Sequence, residues 1–296
     1  MMKISYVVVS ILIVAGSVYS VNRNREDLKE ECAQSIQLYL HADSLFRAGE
    51  LKDARVDFYR ALDLKRELGD SIGMALCELG LGKTEFGLGY YTRALNHLNS
   101  AENLFNTDST VYFPQIYNLY MTRGKIHGSR MMYQEAAEDF ENASGFAELQ
   151  GDLHRSFLAF ETMGDISAGA NRWDAAVLHY SKAMMKAPDR TDSALAYADI
   201  GKVFAGRESY ADAIAYFDSA LALAENPPDT AALERIYGAR GEMNYERGDY
   251  PGAMKYYSRQ LELTGQGDEV QRALIMMNIA ALHEQRLITI ALEQAG

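Results

Sequence analysis

The sequence predicts an all-α fold in which about six helix-turn-helix repeats stack into a solenoid, followed by one further helix. Three sets of residues that recur with the same spacing predict this fold. A small residue recurs every 37 to 42 residues, at Ala42, Gly82, Gly124, Gly164, Gly201, Gly241 and Ala280. An alanine recurs in the same rhythm, at Ala54, Ala94, Ala136, Ala176, Ala213 and Ala253. Four residues after each alanine comes a large side chain: Phe58, Leu98, Phe140, Tyr180, Phe217 and Tyr257.

The segment from Gly241 to Tyr257 shows what one repeat does. Gly241 lets two helix backbones approach closely, and Gly248 supplies the left-handed residue that ends the first helix. Ala253 lies where the second helix crosses the first, and Tyr257 falls one turn later on the same face. One such hairpin leaves an apolar face uncovered. We therefore expect neighbouring hairpins to stack on each other.

The N-terminus differs in composition from the rest. Lys3 precedes an apolar run, and small residues near Ser20 follow it. This order is typical of a secretory signal peptide, residues 1–20, cleaved after Ser20 to leave Val21 first. The alternative is an uncleaved membrane anchor at residues 4–21, which is at the short end of a membrane span. Either reading predicts export, to the periplasm or to the membrane surface.

The predicted helices follow in order, and the connectors between them contain polar residues, glycine or proline. The predicted helix pairs are 27–48 with 51–68, 71–87 with 91–105, 111–130 with 133–149, 153–169 with 173–187, 192–206 with 210–225, and 229–247 with 251–264. Pro227 and Pro228 end the fifth pair, because proline cannot continue a helix. A last helix, within 268–296, is expected to cap the array through Leu274, Met277 and Ala281.

Several segments resemble the tetratricopeptide repeat (TPR) family, whose signature places L-G-x-x-Y before A-x-x-x-F in about 34 residues. Leu81-Gly82 and Ile200-Gly201 with Phe204 match the first part. Segments 136–140 and 213–217 match the second, and Pro188 matches the closing proline. The spacing is nearer 40 residues, as in the longer-repeat type. The resemblance implies a right-handed α-solenoid over 25–296, with repeats near 35–68, 75–108, 117–150, 157–190, 194–227 and 234–267, and a cap at 268–296.

No pattern for catalysis, a cofactor or a metal is found in the sequence. The six histidines never form the His-Glu-x-x-His spacing of a zinc helix, and neither Cys32 nor Cys77 has a second ligand at metal spacing. The glycines follow no strand, so they do not form a phosphate loop. The net charge of −12 argues against a nucleic-acid partner. We therefore expect no enzyme activity and no cofactor.

One surface remains as a candidate site. In the resembling family the first helices line a concave groove, and stepping by three or four residues along each first helix gives a stripe of mixed charge. Its candidate binding residues are Tyr39, Asp43, Lys83, Asn118, Lys125, Glu161, Asp165, Lys202, Arg235, Glu242 and Tyr245. They predict a scaffold that binds another protein or an extended peptide, with membrane contact only through an uncleaved N-terminus. The alternative function is a ligand-sensing or peptide-sensing module of a bacterial signalling system.

Overall fold

A computed structural model describes residues 25–105, 110–265 and 268–295. These residues are helical and contain no β-strand, which confirms the prediction of an all-α helical-repeat solenoid. The α-helices are α1 (Arg25–Arg47), α2 (Leu51–Glu67), α3 (Ser71–Gly87), α4 (Tyr91–Leu104), α5 (Phe113–Ser129), α6 (Tyr133–Leu149), α7 (Leu153–Gly169), α8 (Trp173–Lys186), α9 (Arg190–Gly206), α10 (Tyr210–Ala224), α11 (Thr230–Glu246), α12 (Tyr250–Leu263) and α13 (Glu269–Ala295). A 3₁₀ turn, Thr110–Tyr112, precedes α5.

Consecutive helices pair into six hairpins, from α1–α2 to α11–α12. The chain divides into two compact units, Met1–Gln150 and Gly151–Gly296. The first unit holds the hairpins α1–α2, α3–α4 and α5–α6. The second holds α7–α8, α9–α10 and α11–α12, with α13 packed on α12.

Glycine recurs at the crossing position because a large side chain of the second helix, an aromatic ring in four of the five glycine hairpins, lies against the first helix. A Cβ added to Gly164 would stand 2.4 Å from the Tyr180 ring, and one added to Gly241 would stand 2.7 Å from the Tyr257 ring. Close packing leaves no room for that carbon without a shift of the ring. The crossing alanines of all six second helices are fully buried.

Each hairpin turn contains one residue with positive φ. Gly248 takes this conformation at φ 79°, as predicted, and Gly49 and Gly89 do the same. In three hairpins the residue is not glycine: Met131, Asn171 and Glu208 have φ between 55° and 61°. The left-handed residue ends the first helix, and two residues later the second begins. The turn geometry is therefore common to the repeats, although its glycine is not.

Within each unit the first helices form a continuous layer. Helix α3 contacts α1 and α5, and α9 contacts α7 and α11. In the described part of the chain, no second helix makes a comparable contact with the second helix of the next repeat. The first-helix side of each unit is thus the more closely packed side, which makes it the inner, concave side of the unit. We call this side the first-helix surface.

The face expected to dock α13 was predicted wrongly. Leu274 and Met277 are 52% and 66% exposed, whereas Ile275 and Leu282 are 2% and 1% exposed and pack against α12. Aligning Ala280 with Gly241 explains the difference, because Met277 then takes the position of Gly238, which faces a second helix. No second helix follows α13 in the described residues, so that face stays open.

The predicted signal peptide or anchor lies outside the described residues. Among those that the structure does describe, no helix combines the length and apolar character needed to cross a bilayer.

Candidate functional site

In the first unit, the predicted site residues lie on α1, α3 and α5. Tyr39 packs edge-on against Phe58 at 5.8 Å between ring centres, and Asp43 forms an ion pair with Arg47 at 2.7 Å. Lys83 is half-buried, and loss of hydration lowers its pKa although Asp43 acts in the opposite direction.

Asn118 and Lys125 lie two turns apart on α5, the former half-buried and the latter exposed. Neither Lys83 nor Lys125 forms an ion pair within the described residues. Their ammonium groups are therefore not used to hold this unit together, and both lie on or near its first-helix surface.

In the second unit, five charged side chains from three first helices converge. They are Glu161 and Asp165 on α7, Asp199 and Lys202 on α9, and Arg235 on α11. The Lys202 ammonium lies 2.5 Å from Asp199 Oδ1. The Arg235 guanidinium lies 3.3 Å from Glu161 Oε1 and 3.8 Å from Asp199 Oδ2. We call these five residues the acidic cluster.

Burial within the acidic cluster increases from its rim to its base. The side chains of Arg235 and Lys202 are 52% and 43% exposed, and that of Glu161 is 12% exposed. Asp199 lies at the base and is 1% exposed as a residue. Its Oδ2 atom accepts no hydrogen bond from any described residue.

The carboxyl groups of this cluster are crowded. Desolvation raises the pKa of Glu161, the nearby charge of Asp199 raises it further, and Arg235 opposes both effects. The pKa of Asp165 is raised by the same two causes, although Tyr180 donates a 2.6 Å hydrogen bond to its Oδ1. Two cations stand beside three carboxyl groups, and burial removes part of the hydration that would stabilise a carboxylate.

Asp199 falls on the predicted stripe of the first helices but was not among the candidate binding residues, although it lies at the base of the acidic cluster. Its position, two residues before Gly201, is occupied in the other five hairpins by Leu40, Gly80, Thr122, Thr162 and Ala239. The sequence did contain a signal for Asp199, because it is the one acidic residue at a repeat position that is otherwise apolar, small or neutral.

Glu242 and Tyr245 lie further along α11, and both are exposed. The Tyr245 ring contacts the Tyr250 ring of the same hairpin at 5.8 Å. Within the described part of the chain, neither residue forms a hydrogen bond or an ion pair with the acidic cluster. The structure therefore brings together Glu161, Lys202 and Arg235, with Asp165 beside them.

A second polar network, in the first unit, was not predicted. Arg123 on α5 donates to Asp139 on α6 at 2.9 Å and to Glu102 on α4 at 2.5 Å. His127 Nδ1 lies 2.8 Å from the other oxygen of Asp139. Because Asp139 is 3% exposed, this network ties three helices together and has little surface to offer a ligand.

The histidines are used in the same structural way. His41, His97, His127 and His154 each place Nδ1 within 2.8 Å of a carboxylate on another helix. The hydrogen bond to Asp192 raises the pKa of His154. Among the described residues, no three His, Cys, Asp or Glu side chains are grouped so that they could hold a metal ion.

No protein-family model and no curated protein sequence matches this chain. Solved structures with a similar fold do exist. One is aspartyl phosphate phosphatase F from Bacillus subtilis, with 10% identity and a TM-score of 0.58, covering 88% of this chain and 72% of that one. The apo form of RapI has 14% identity and a TM-score of 0.56, covering 85% and 97%.

A Rap protein complexed with competence and sporulation factor has 11% identity and a TM-score of 0.50, covering 85% of this chain and 75% of that one. At these identities the similarities show the fold alone. Together with the repeat registers and the hairpin geometry, they define the class as a helical-repeat solenoid. The fold is the tetratricopeptide-repeat fold that the sequence resembles.

Proposed function

We propose that this chain is an exported, non-catalytic scaffold that binds another protein, or an extended peptide segment, on its first-helix surface. The proposal rests on one observation. The first helices present Lys83 and Lys125, which form no ion pair within the described residues, and the buried Asp199, whose Oδ2 atom accepts no hydrogen bond there. Charges that stabilise nothing internally are available for a partner.

The chemistry of the surface favours a polypeptide ligand. Its charge is mixed along each unit, with exposed lysine and acidic groups within a few turns of each other. An extended peptide presents alternating charges and backbone groups to such a surface, whereas an acidic polymer would meet carboxylates in the second unit. The Rap protein of similar fold was solved in complex with competence and sporulation factor, which supports partner binding by this fold.

Export is part of the proposal and rests on the composition of residues 1–20. In this reading the repeats act outside the cytoplasm, either free after cleavage or tethered by residues 4–21.

Peptide selection with mapping of the bound surface tests the proposal. Random twelve-residue peptides displayed on phage would be selected on the immobilised repeats, and the best binders mapped by hydrogen exchange. We expect added protection in α3, α5, α9 and α11. Failure to select any binder, or protection confined to second helices such as α4 and α10, would overturn the proposal.

A second candidate is a sensor whose bound peptide changes the curvature of a repeat unit. The similarity to RapI and to the Rap complex favours it at the level of fold. Small-angle scattering with and without a selected peptide distinguishes the scaffold from the sensor. The radius of gyration of a scaffold stays the same when the peptide binds, whereas that of a sensor changes.

A further inference from the structure

The acidic cluster of the second unit lacks one positive charge. It holds three carboxyl groups, on Glu161, Asp165 and Asp199, against the two cations Lys202 and Arg235. Both cations come from the exposed rim, whereas Asp199 lies at the base. The excess charge of the cluster is therefore negative, and its most buried carboxyl group is that of Asp199.

Asp199 shows where the missing group belongs. Its Oδ1 atom is bound by Lys202, but Oδ2 accepts no hydrogen bond from any described residue and lies 3.8 Å from the nearest Arg235 nitrogen. A buried carboxylate oxygen without a donor is costly, because it has lost water and gained no replacement. A donor with positive charge would satisfy both the hydrogen bond and the charge.

A ligand reaches this buried oxygen when the rim side chains move aside. Lys202 and Arg235 are long, half-exposed side chains anchored on α9 and α11, and each can turn outward into solvent. Asp165 stands at the solvent edge, where the Tyr180 hydroxyl fixes one of its oxygens by a 2.6 Å hydrogen bond. Glu161 forms an ion pair with Arg235 at 3.3 Å.

From this geometry we infer that the acidic cluster is a subsite for a cationic group, an ammonium or guanidinium, of an extended polypeptide bound on the first-helix surface. The inference rests on the proposed function and specifies the chemistry of its ligand. The cation enters between α7 and α9, donates to Asp199 Oδ2 and lies beside the Glu161 and Asp165 carboxylates. A lysine or arginine side chain and a free peptide N-terminus both supply this chemistry.

The test uses three fluorescein-labelled pools of octapeptides with random flanking positions. One pool is N-acetylated with lysine fixed at the centre, a second is N-acetylated with glutamine there, and a third carries the central glutamine and a free N-terminus. Binding to the repeats is measured by fluorescence polarisation. We expect the lysine pool to bind about tenfold more tightly than the acetylated glutamine pool, the size of one charge-assisted hydrogen bond. Tight binding of the third pool would assign the cation to the peptide N-terminus.

Two variants with opposite expected effects locate the subsite. Asp199→Asn removes the charge at the base and is expected to abolish the preference for cationic pools. Lys202→Gln removes the internal competitor for Asp199 and is expected to strengthen that preference several-fold. Glu262→Gln, an equal change in charge on the exposed face of the second helix α12, is the control and should leave the preference unchanged.

The outcomes separate the two proposals. Equal binding of all three pools to the unaltered protein would overturn the cationic subsite and leave the proposed function standing. A cationic preference that neither Asp199→Asn nor Lys202→Gln alters would also overturn the subsite. If no pool binds, n-butylammonium is titrated while the Asp165, Asp199 and Glu161 carboxyl carbons are observed by NMR. Shifts confined to these carbons would support the subsite and overturn the peptide-binding function, and their absence would overturn both.

Discussion

At the scale of the residue, a glycine and the ring packed against it determine how closely the two helices of a hairpin approach. The ring lies where a Cβ would be, so the cost of any side chain there depends on how far the ring can move. Tyr180 cannot move freely, because its hydroxyl is hydrogen-bonded to Asp165. The packing of this hairpin and the acidic cluster thus share one side chain.

Gly164→Leu is therefore expected to overpack the α7–α8 crossing and lower the free energy of unfolding by about 1–3 kcal/mol. The measurement is urea unfolding followed by circular dichroism. Gly169→Ala, near the end of the same helix, is the matched control, because a Cβ there meets nothing within 4 Å. Unchanged stability of Gly164→Leu would contradict the assignment of the repeat register.

Arg123 is the second residue whose loss should be costly. Arg123→Met leaves the buried Asp139 carboxylate without its principal cation, an effect of about 3–5 kcal/mol for a broken buried ion pair. Desolvation already raises the pKa of Asp139. A raised carboxyl pKa in the folded state means that stability falls as pH rises through that pKa, and losing Arg123 raises it further.

The difference between Arg123→Met and the unaltered protein should consequently shrink on acidification, as Asp139 becomes protonated. Urea midpoints measured across the acidic range check this. Arg66→Met, which breaks the exposed pair with Asp63, is the control and should change little at any pH. A pH-independent difference would mean that Asp139 is not the group left uncompensated.

At the scale of the element, the sequence predicts the helices better than it predicts which face each helix buries. The small-residue registers recur six times, so hairpins, crossings and turns were all predictable from spacing. A first helix that continues the register, but is followed by no second helix in the described residues, is a different case. For α13 the apolar positions alone favoured Leu274 and Met277, and only alignment with α11 shows that Ile275 and Leu282 are the docked residues.

The candidate site was predictable to a similar degree. Spacing identified Glu161, Lys202 and Arg235 as residues of one surface, because their offsets from the crossing glycines differ by steps of three or four residues and so fall on one helix face. It did not identify Asp199 as the base of the cluster, since burial at that position depends on the side chains of both adjacent helices. The Arg123 network was missed for the same reason: its partners lie on three helices, and no single-helix periodicity relates them.

The docking of α13 gives a prediction at this scale. Ile275→Ala and Leu282→Ala should each lower stability by about 2–5 kcal/mol, because each leaves a cavity against α12. Leu274→Ala, at the exposed neighbouring position, is the control and should cost much less. Hydrogen exchange in α13 is the measurement, and equal exchange rates in Ile275→Ala and Leu274→Ala would show that the docked face is assigned wrongly.

At the scale of the whole molecule, the proposal that the chain is exported gives a prediction about its N-terminal segment. The sequence of residues 1–20 leads to an expected mature N-terminus at Val21. Mass spectrometry of the protein recovered from its native cell checks this. An intact Met1 in the membrane fraction would establish the anchor instead.

The last prediction concerns the charges of the first-helix surface in the first unit. Lys83 and Lys125 occupy equivalent positions, each one residue after the crossing glycine of α3 or α5. Surface charges of this kind mainly set the association rate and its salt dependence. Lys83→Glu with Lys125→Glu is therefore expected to slow association with a selected peptide several-fold at low salt, and less at high salt.

Stopped-flow fluorescence at two salt concentrations measures this effect. The matched control reverses two exposed lysines of second helices, Lys52→Glu with Lys255→Glu, which changes the net charge of the whole chain by the same amount. If the net charge alone steered the peptide, both double variants would slow association equally. If the first-helix surface receives it, only the first pair will, because a charge acts strongly only within about one Debye length of the path of the ligand. Equal slowing, or none from the first pair, would remove the first-helix surface as the binding site.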